Sequence, residues 1–128
     1  MPREKSSQLT EVETQVLKVL WQLGPSPVRV IHGHLTKLRD TNYSTTVKML
    51  SVMLDKNLIR RDEGQRPHVY SAVLTQKKAQ KRMLTDLIDK IYDGSATSLV
   101  MQAISSKRTS SEDLEAIRQM IEKIQGEE

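Results

Sequence analysis

The side chains best equipped for chemistry fall in two stretches. Ser44, Lys48 and Ser51 recur at intervals of four and three, with Thr45 beside them. On a helix these positions share one face. Arg60, Arg61, Arg66 and His68 follow within a segment punctuated by Gly64 and Pro67. Hydroxyls and cations spaced in this way hydrogen-bond to phosphate, and the same hydroxyls and an ammonium can reach the edges of bases. Val47, at the margin of the first set, offers methyl groups that suit a thymine methyl. The plainer alternatives are a solvated helix face for the first set, and for Arg60 and Arg61 a solvated strand or pairing with Asp62 and Glu63.

Other combinations lead to less. His32, His34 and His68 suggest a metal site, but an i,i+2 pair on a helix diverges and no thiol or carboxylate cluster completes a ligand set. The chain has no Cys, so disulfides, thiol nucleophiles and thiolate metal sites are excluded. There is no nucleophile elbow, Gly-rich phosphate loop or H-E-x-x-H. Paired acids at Glu11/Glu13 and Glu112/Asp113 stand at helix starts, where they suit the helix dipole. The expectation is a non-enzyme with no catalytic residue, metal or cofactor. Trp21 can stack on a ligand or close the edge of a core, and its place at the end of an amphipathic helix favours the core.

The elements that must position these residues can be read in order. Thr10 and Glu13 make a capping box, and Val12, Val16, Leu17 and Leu20 follow at helical spacing. Gly24-Pro25 ends that helix. Ser26 is expected to cap a second, with Pro27 at its first position and Val28, Ile31, Leu35 and Leu38 as its buried stripe. Arg39 to Asn42 reads as a polar turn. A third helix is expected from about Ser44 to Lys56, with Thr46, Met49, Leu50, Met53 and Leu54 on its buried side and Asn57 as its stop. The period then changes to that of two short strands, 58–62 and 68–72, joined by the Gly- and Pro-containing turn 63–67.

The last third reads as three helices. Thr75 caps one running to about Tyr92, with Ala79, Met83, Leu84, Leu87, Ile88 and Ile91 on one stripe and Gly94 as its C-terminal cap. A second, from about Ala96 to Ser105, carries Leu99, Val100, Ala103 and Ile104. Ser110 or Ser111 caps the third, whose Leu114, Ile117, Ile121 and Ile124 form an a/d seam. Residues 105–111 between the last two helices, like the polar residues 1–8, are expected to be loop.

Three helices and a hairpin within about 65 residues follow the winged-helix order. The expected architecture is mainly α. A winged helix-turn-helix (three helices plus a two-stranded β-hairpin wing) occupies residues 7–74, and a helical dimerisation region occupies 75–128.

Charge divides along the same line. Of the 128 residues, 1–74 carry 11 Lys/Arg against 7 Asp/Glu, while 75–128 carry 9 against 9. The net charge of +4 therefore resides in the N-terminal part, as it should if that part meets phosphate and the other meets protein. With no Phe and one Trp, the core must be built from Leu, Ile, Val and Met. No apolar run approaches the roughly 18 residues that a membrane helix needs, and the start has no signal-peptide apolar region. No membrane insertion and a cytoplasmic location are expected. Three amphipathic helices in about 54 residues cannot easily enclose their own apolar surface. Either they fold back on the winged helix or a second copy covers them. The second arrangement makes Leu87, Ile91, Leu99, Val100, Leu114, Ile117, Ile121 and Ile124 the dimer interface.

Several stretches together resemble the penicillinase-repressor (BlaI/MecI/CopY) family. They are Leu9-Thr10 to Leu20-Trp21, Asn42-Tyr43-Ser44-Thr45-Thr46-Val47, Leu58-Ile59-Arg60-Arg61, His68-Val69-Tyr70-Ser71-Ala72, Tyr92-Asp93-Gly94-Ser95 and Ser98-Leu99-Val100. The resemblance implies a homodimeric repressor at a dyad operator of double-stranded DNA. In the best-known branch it also implies a membrane sensor protease that cuts the C-terminal region between Asn and Phe. The matching positions here are Gln102 and Ala103, a departure from that pattern. The copper-sensing branch uses C-terminal cysteines, which this chain lacks. Val47 stands where the penicillinase branch has Arg, so the operator sequence does not carry over. The competing reading is a winged-helix protein-interaction module without specific DNA binding.

Overall fold

The structure, a computed structural model, describes residues 9–106 and 108–127. The expected loop at residues 1–8, the expected domain start at residue 7, and Lys107 within the 105–111 loop lie outside the described residues.

The chain runs α1 (Glu11–Leu23), β1 (Ser26–Pro27), α2 (Val28–Leu35), α3 (Tyr43–Asp55), β2 (Ile59–Asp62), β3 (Val69–Ala72), α4 (Gln76–Ile91), α5 (Ala96–Ser105) and α6 (Ser111–Gly126). It divides into two compact units, with the boundary inside α4 after Leu84.

In the first unit, α1 starts at the capping box. The Thr10 hydroxyl accepts from Glu13 N–H at 3.1 Å, and the Glu13 carboxylate accepts from Thr10 N–H at 2.9 Å. Val16, Leu17 and Leu20 from α1 join Ile31 and Leu35 from α2, Leu50 and Met53 from α3, and Leu58, Ile59 and Tyr70 from the hairpin in one core. Trp21 closes its edge, donating from Nε1 to the Leu74 carbonyl at 2.9 Å. Asn57 ends α3 in the left-handed region (φ 59°). This backbone turn lets Leu58 N–H reach the Met53 carbonyl at 3.0 Å, satisfying a carbonyl the helix leaves open.

The structure departs from two local expectations. Ser26 does not cap α2. Ser26 and Pro27 form a short strand antiparallel to β3, Ser26 opposite Tyr70 and Pro27 opposite Val69, and Pro27 is the N-cap. The sheet therefore has three strands, in the order β1-β3-β2. Proline is tolerable because β1 is an edge strand. Leu38 does not extend the buried stripe of α2. The helix ends at Leu35, and Leu38 is 57% exposed beyond it.

In the second unit, α4 ends through Asp93 and Gly94, both at positive φ, with Gly94 N–H bonded to the Ile88 carbonyl at 2.9 Å. Ser95 caps α5 by accepting from Ser98 N–H at 3.1 Å. Ser110 and Asp113 form a capping box on α6. Tyr92 donates its hydroxyl to the Gln102 side-chain carbonyl, joining the end of α4 to α5. The apolar stripes are formed but not covered: no described residue of this unit is buried.

Candidate nucleic-acid interface

α3 is fixed from beneath. Thr46, Leu50 and Met53 are buried on its inner side, and Met49 and Leu54 are half-buried. Its outer side carries Ser44, Thr45, Val47, Lys48 and Ser51, all exposed. Apolar and small residues at helical spacing on one side, and polar ones on the other, produce this division.

The start of α3 holds a residue that sequence reading placed in the preceding turn. Asn42 is the N-cap, and its side-chain oxygen accepts from Thr45 N–H at 2.9 Å. The same oxygen accepts the hydroxyls of Ser44 at 2.9 Å and Thr45 at 2.8 Å. The two hydroxyls expected to meet DNA are thus both bonded to Asn42. The signal was available, since Asn ranks among the best N-cap residues. Ser44 and Thr45 can reach an incoming phosphate or base by rotating away from Asn42.

Two long-range contacts set the height of α3 in the unit. Lys56, its C-cap, places Nζ 2.8 Å from the carboxylate of Glu13, which is 1% exposed. Burial, the largest influence on this carboxyl, raises its pKa. The hydrogen bonds from Lys56 and Thr10, with the Lys56 charge, outweigh it, so the group titrates below the usual glutamate range. At the other end, His32 of α2 places Nδ1 2.8 Å from the Thr46 hydroxyl. Its ring meets Tyr43 edge-on, with centroids 5.4 Å apart and planes at 81°. Among the described residues no three His, Cys, Asp or Glu side chains gather as a metal would require.

The hairpin projects the second set. Arg60 lies opposite Ser71 and Arg61 opposite Tyr70. The guanidinium of Arg61 is engaged: Nε donates to Glu63 at 3.0 Å, with an ion pair to the same carboxylate. Hydrogen bonds with Tyr70 and then Glu63 hold its proton more firmly than usual. Asp62 shapes the turn, accepting from Gly64 N–H at 2.9 Å and the Gln65 amide at 3.0 Å. These two bonds, Gln65 first, keep its carboxyl below the ordinary range. Arg66 is exposed at the tip, while His68 is half-buried just before β3. Among the described residues neither Lys48 nor Arg66 has an ion-pair partner, while the charge of Arg60 acts on the Asp62 carboxylate.

Three helices on a small antiparallel sheet, the third helix presenting a polar outer face beside a basic hairpin, define a winged helix. A solved MarR family protein from Bacillus stearothermophilus shares this fold, with a TM-score of 0.50 and 17% identity over 93% of this chain and 74% of that one. The model of the family described as penicillinase repressor matches residues 9–123, and the chain belongs to that family of transcription regulators. It is 24% identical over 123 residues to the transcriptional regulator BlaI of Mycobacterium tuberculosis, spanning 94% of this chain and 88% of the relative. It is 20% identical over 119 residues to the penicillinase repressor of Bacillus licheniformis, spanning 93% of each. It is 18% identical over 119 residues to the methicillin resistance regulatory protein MecI of Staphylococcus aureus, spanning 93% and 97%. No helix among the described residues is long and apolar enough to cross a membrane.

Proposed function

We infer that the chain is a homodimeric repressor that binds a dyad operator, with residues 7–74 on DNA and residues 75–128 joining the two copies. The observation that carries this reading is the two-sidedness of α3: its inner side is locked into the core while Ser44, Thr45, Lys48 and Ser51 stand exposed. A helix of this kind fits the major groove, and small residues near its N-terminal end allow close approach. Lys48 reaches a guanine edge or a phosphate. Arg60, Arg66 and His68 lie along the backbone, where they position the protein without specifying sequence. Arg61 contributes there by releasing Glu63.

Dimerisation is supported by the uncovered stripes. Leu87, Ile91, Val100, Leu114, Ile121 and Ile124 are exposed, and Leu99 and Ile117 are half-buried. A second copy would remove this apolar surface from water and place two recognition helices on two half-sites. A sensor protease is retained as a further partner. The bond at the matching position, Gln102–Ala103, lies inside α5, so cleavage would require that helix to open locally.

The decisive experiment is selection of genomic fragments with the purified chain, followed by footprinting. A dyad footprint with salt-dependent affinity is expected. Retention of no DNA above background, together with capture of a protein partner by the Ser44/Lys48 face, would replace this reading with the interaction module.

A further inference from the structure

The outer side of α3 is not uniformly polar. Tyr43, its first residue, is 49% exposed, and Val47, one turn later, is 43% exposed. Residues four apart share one side of a helix, so the two form a short apolar strip along one margin of the Ser44/Lys48 face. A tyrosine at a helix start ordinarily swings freely in water. This one has a packing partner, its ring resting edge-on against His32. His32 is in turn hydrogen-bonded to Thr46, which is 1% exposed and part of the core side of α3. Two contacts joining three residues thus run from the core to an exposed aromatic ring and orient it.

We propose that Tyr43 and Val47 are specificity-determining residues that read thymine methyl groups in the major groove, and that His32 positions Tyr43 for this contact. The proposal rests on the DNA-binding reading above and adds the chemistry of the base read. In the major groove the thymine C5-methyl is the apolar feature among hydrogen-bonding edges, and carbon surface is what recognises it. The neighbouring Ser44, Lys48 and Ser51 supply hydrogen bonds, while the strip supplies a contact that a hydroxyl cannot. Its outer flank is formed by the exposed Ser44, Lys48 and Ser51, which suits a nucleic acid groove better than an apolar protein surface. His32 touches no DNA in this scheme. It acts only through the Tyr43 ring.

The test uses the full chain and the duplex it selects from a random-sequence pool. Each thymine of that duplex is replaced in turn by deoxyuridine, which removes one methyl and leaves every hydrogen-bonding edge intact. At one or two positions per half-site the wild-type protein is expected to lose affinity about fourfold, the effect of leaving one methyl unburied. Val47→Ala and Tyr43→Ala should each bring the thymine-to-deoxyuridine ratio to about one at its own position. Tyr43→Phe should retain the ratio, because the ring and not the hydroxyl makes the contact. His32→Ala should lower the ratio only at the Tyr43 position and leave the salt dependence unchanged. Equal affinity for thymine and deoxyuridine at every position would overturn the proposal while leaving DNA binding in place, as would a ratio that survives both alanine variants. Failure to select any duplex would instead strike the DNA-binding reading itself. Thermal melts of the variants separate lost contacts from lost folding, and both exposed positions should melt like the wild type.

Discussion

Residues 9–84 and residues 85–127 are both rich in amphipathic helix, yet they end in opposite conditions. In the first unit the apolar stripes of α1, α2 and α3 converge with Leu58, Ile59 and Tyr70, and side chains such as Leu17, Ile31 and Leu50 lose all contact with water. In the second, Leu87, Ile91, Val100, Ile121 and Ile124 lie on comparable stripes and remain exposed. Capping is not the difference, for α6 carries a capping box as complete as that of α1. Local signals make a helix, but only converging apolar faces make a core. The first unit contains its own converging faces, whereas the second has the faces without the means to cover them. Its polar side is also well ordered, with Arg118 bridging Glu115 and Glu122. Exposed pairs of that kind add little stability and cannot replace a core.

The contrast can be broken most forcefully from the N-terminal side. Leu50→Ala removes a fully buried side chain from the centre of the first core, and is expected to cost about 3 kcal/mol in chemical denaturation. A loss below about 1 kcal/mol would mean that the unit does not depend on that convergence. From the other side, Ile121→Asp places a charge where a second copy should bury carbon. Light scattering should then show monomers, and affinity for a dyad duplex should fall on the order of a hundredfold as the half-sites become independent. An Ile121→Asp protein that remains dimeric would show that the uncovered stripe has another purpose.

Lys56→Met probes the tie between α1 and α3. It leaves the buried Glu13 carboxylate without its cation, at an expected cost of about 2 kcal/mol near neutral pH, below the usual range for buried pairs because Lys56 is partly solvated. The pH dependence should change with it. In the wild type the folded-state pKa of Glu13 is lowered. Its contribution is therefore present above the unfolded glutamate pKa and lost as pH falls through the lower folded value. Without Lys56 the hydrogen bond and charge that lower this pKa are gone, while burial and the Thr10 bonds remain, so the folded pKa rises relative to the wild type and the variant should lose less stability on acidification. Denaturation midpoints between pH 7 and pH 3 should therefore converge, and parallel curves would contradict this. The smallest effect is expected at the wing. Arg66→Ala should weaken binding to every duplex by several-fold and flatten the salt slope by about one. A change confined to one sequence would instead make Arg66 a base reader.

Much of this was legible in residue spacing. The capping box at Thr10 and Glu13, the buried side of α3, the hairpin, the start and end of α5 and the Gly94 terminus all follow from short-range rules. Those rules act between residues three to six apart, where backbone geometry leaves few alternatives. The misread elements depended on distant partners. Ser26-Pro27 resembles a helix start in isolation, but β3, more than forty residues later, supplies the hydrogen bonds that make it a strand. Leu38 fits the stripe of α2 by arithmetic, yet the helix stops before it.

By itself, then, the sequence determined the helices, the hairpin, the basic bias of the N-terminal part and the small polar residues that α3 would present. Only the tertiary structure decided how α3 is held. It bound Lys56 to Glu13 across the unit and set His32 between Thr46 and Tyr43. The Asn42 cap is local and could have been read. The other contacts join residues 11 to 43 positions apart, and their geometry comes from packing, which no short-range periodicity records.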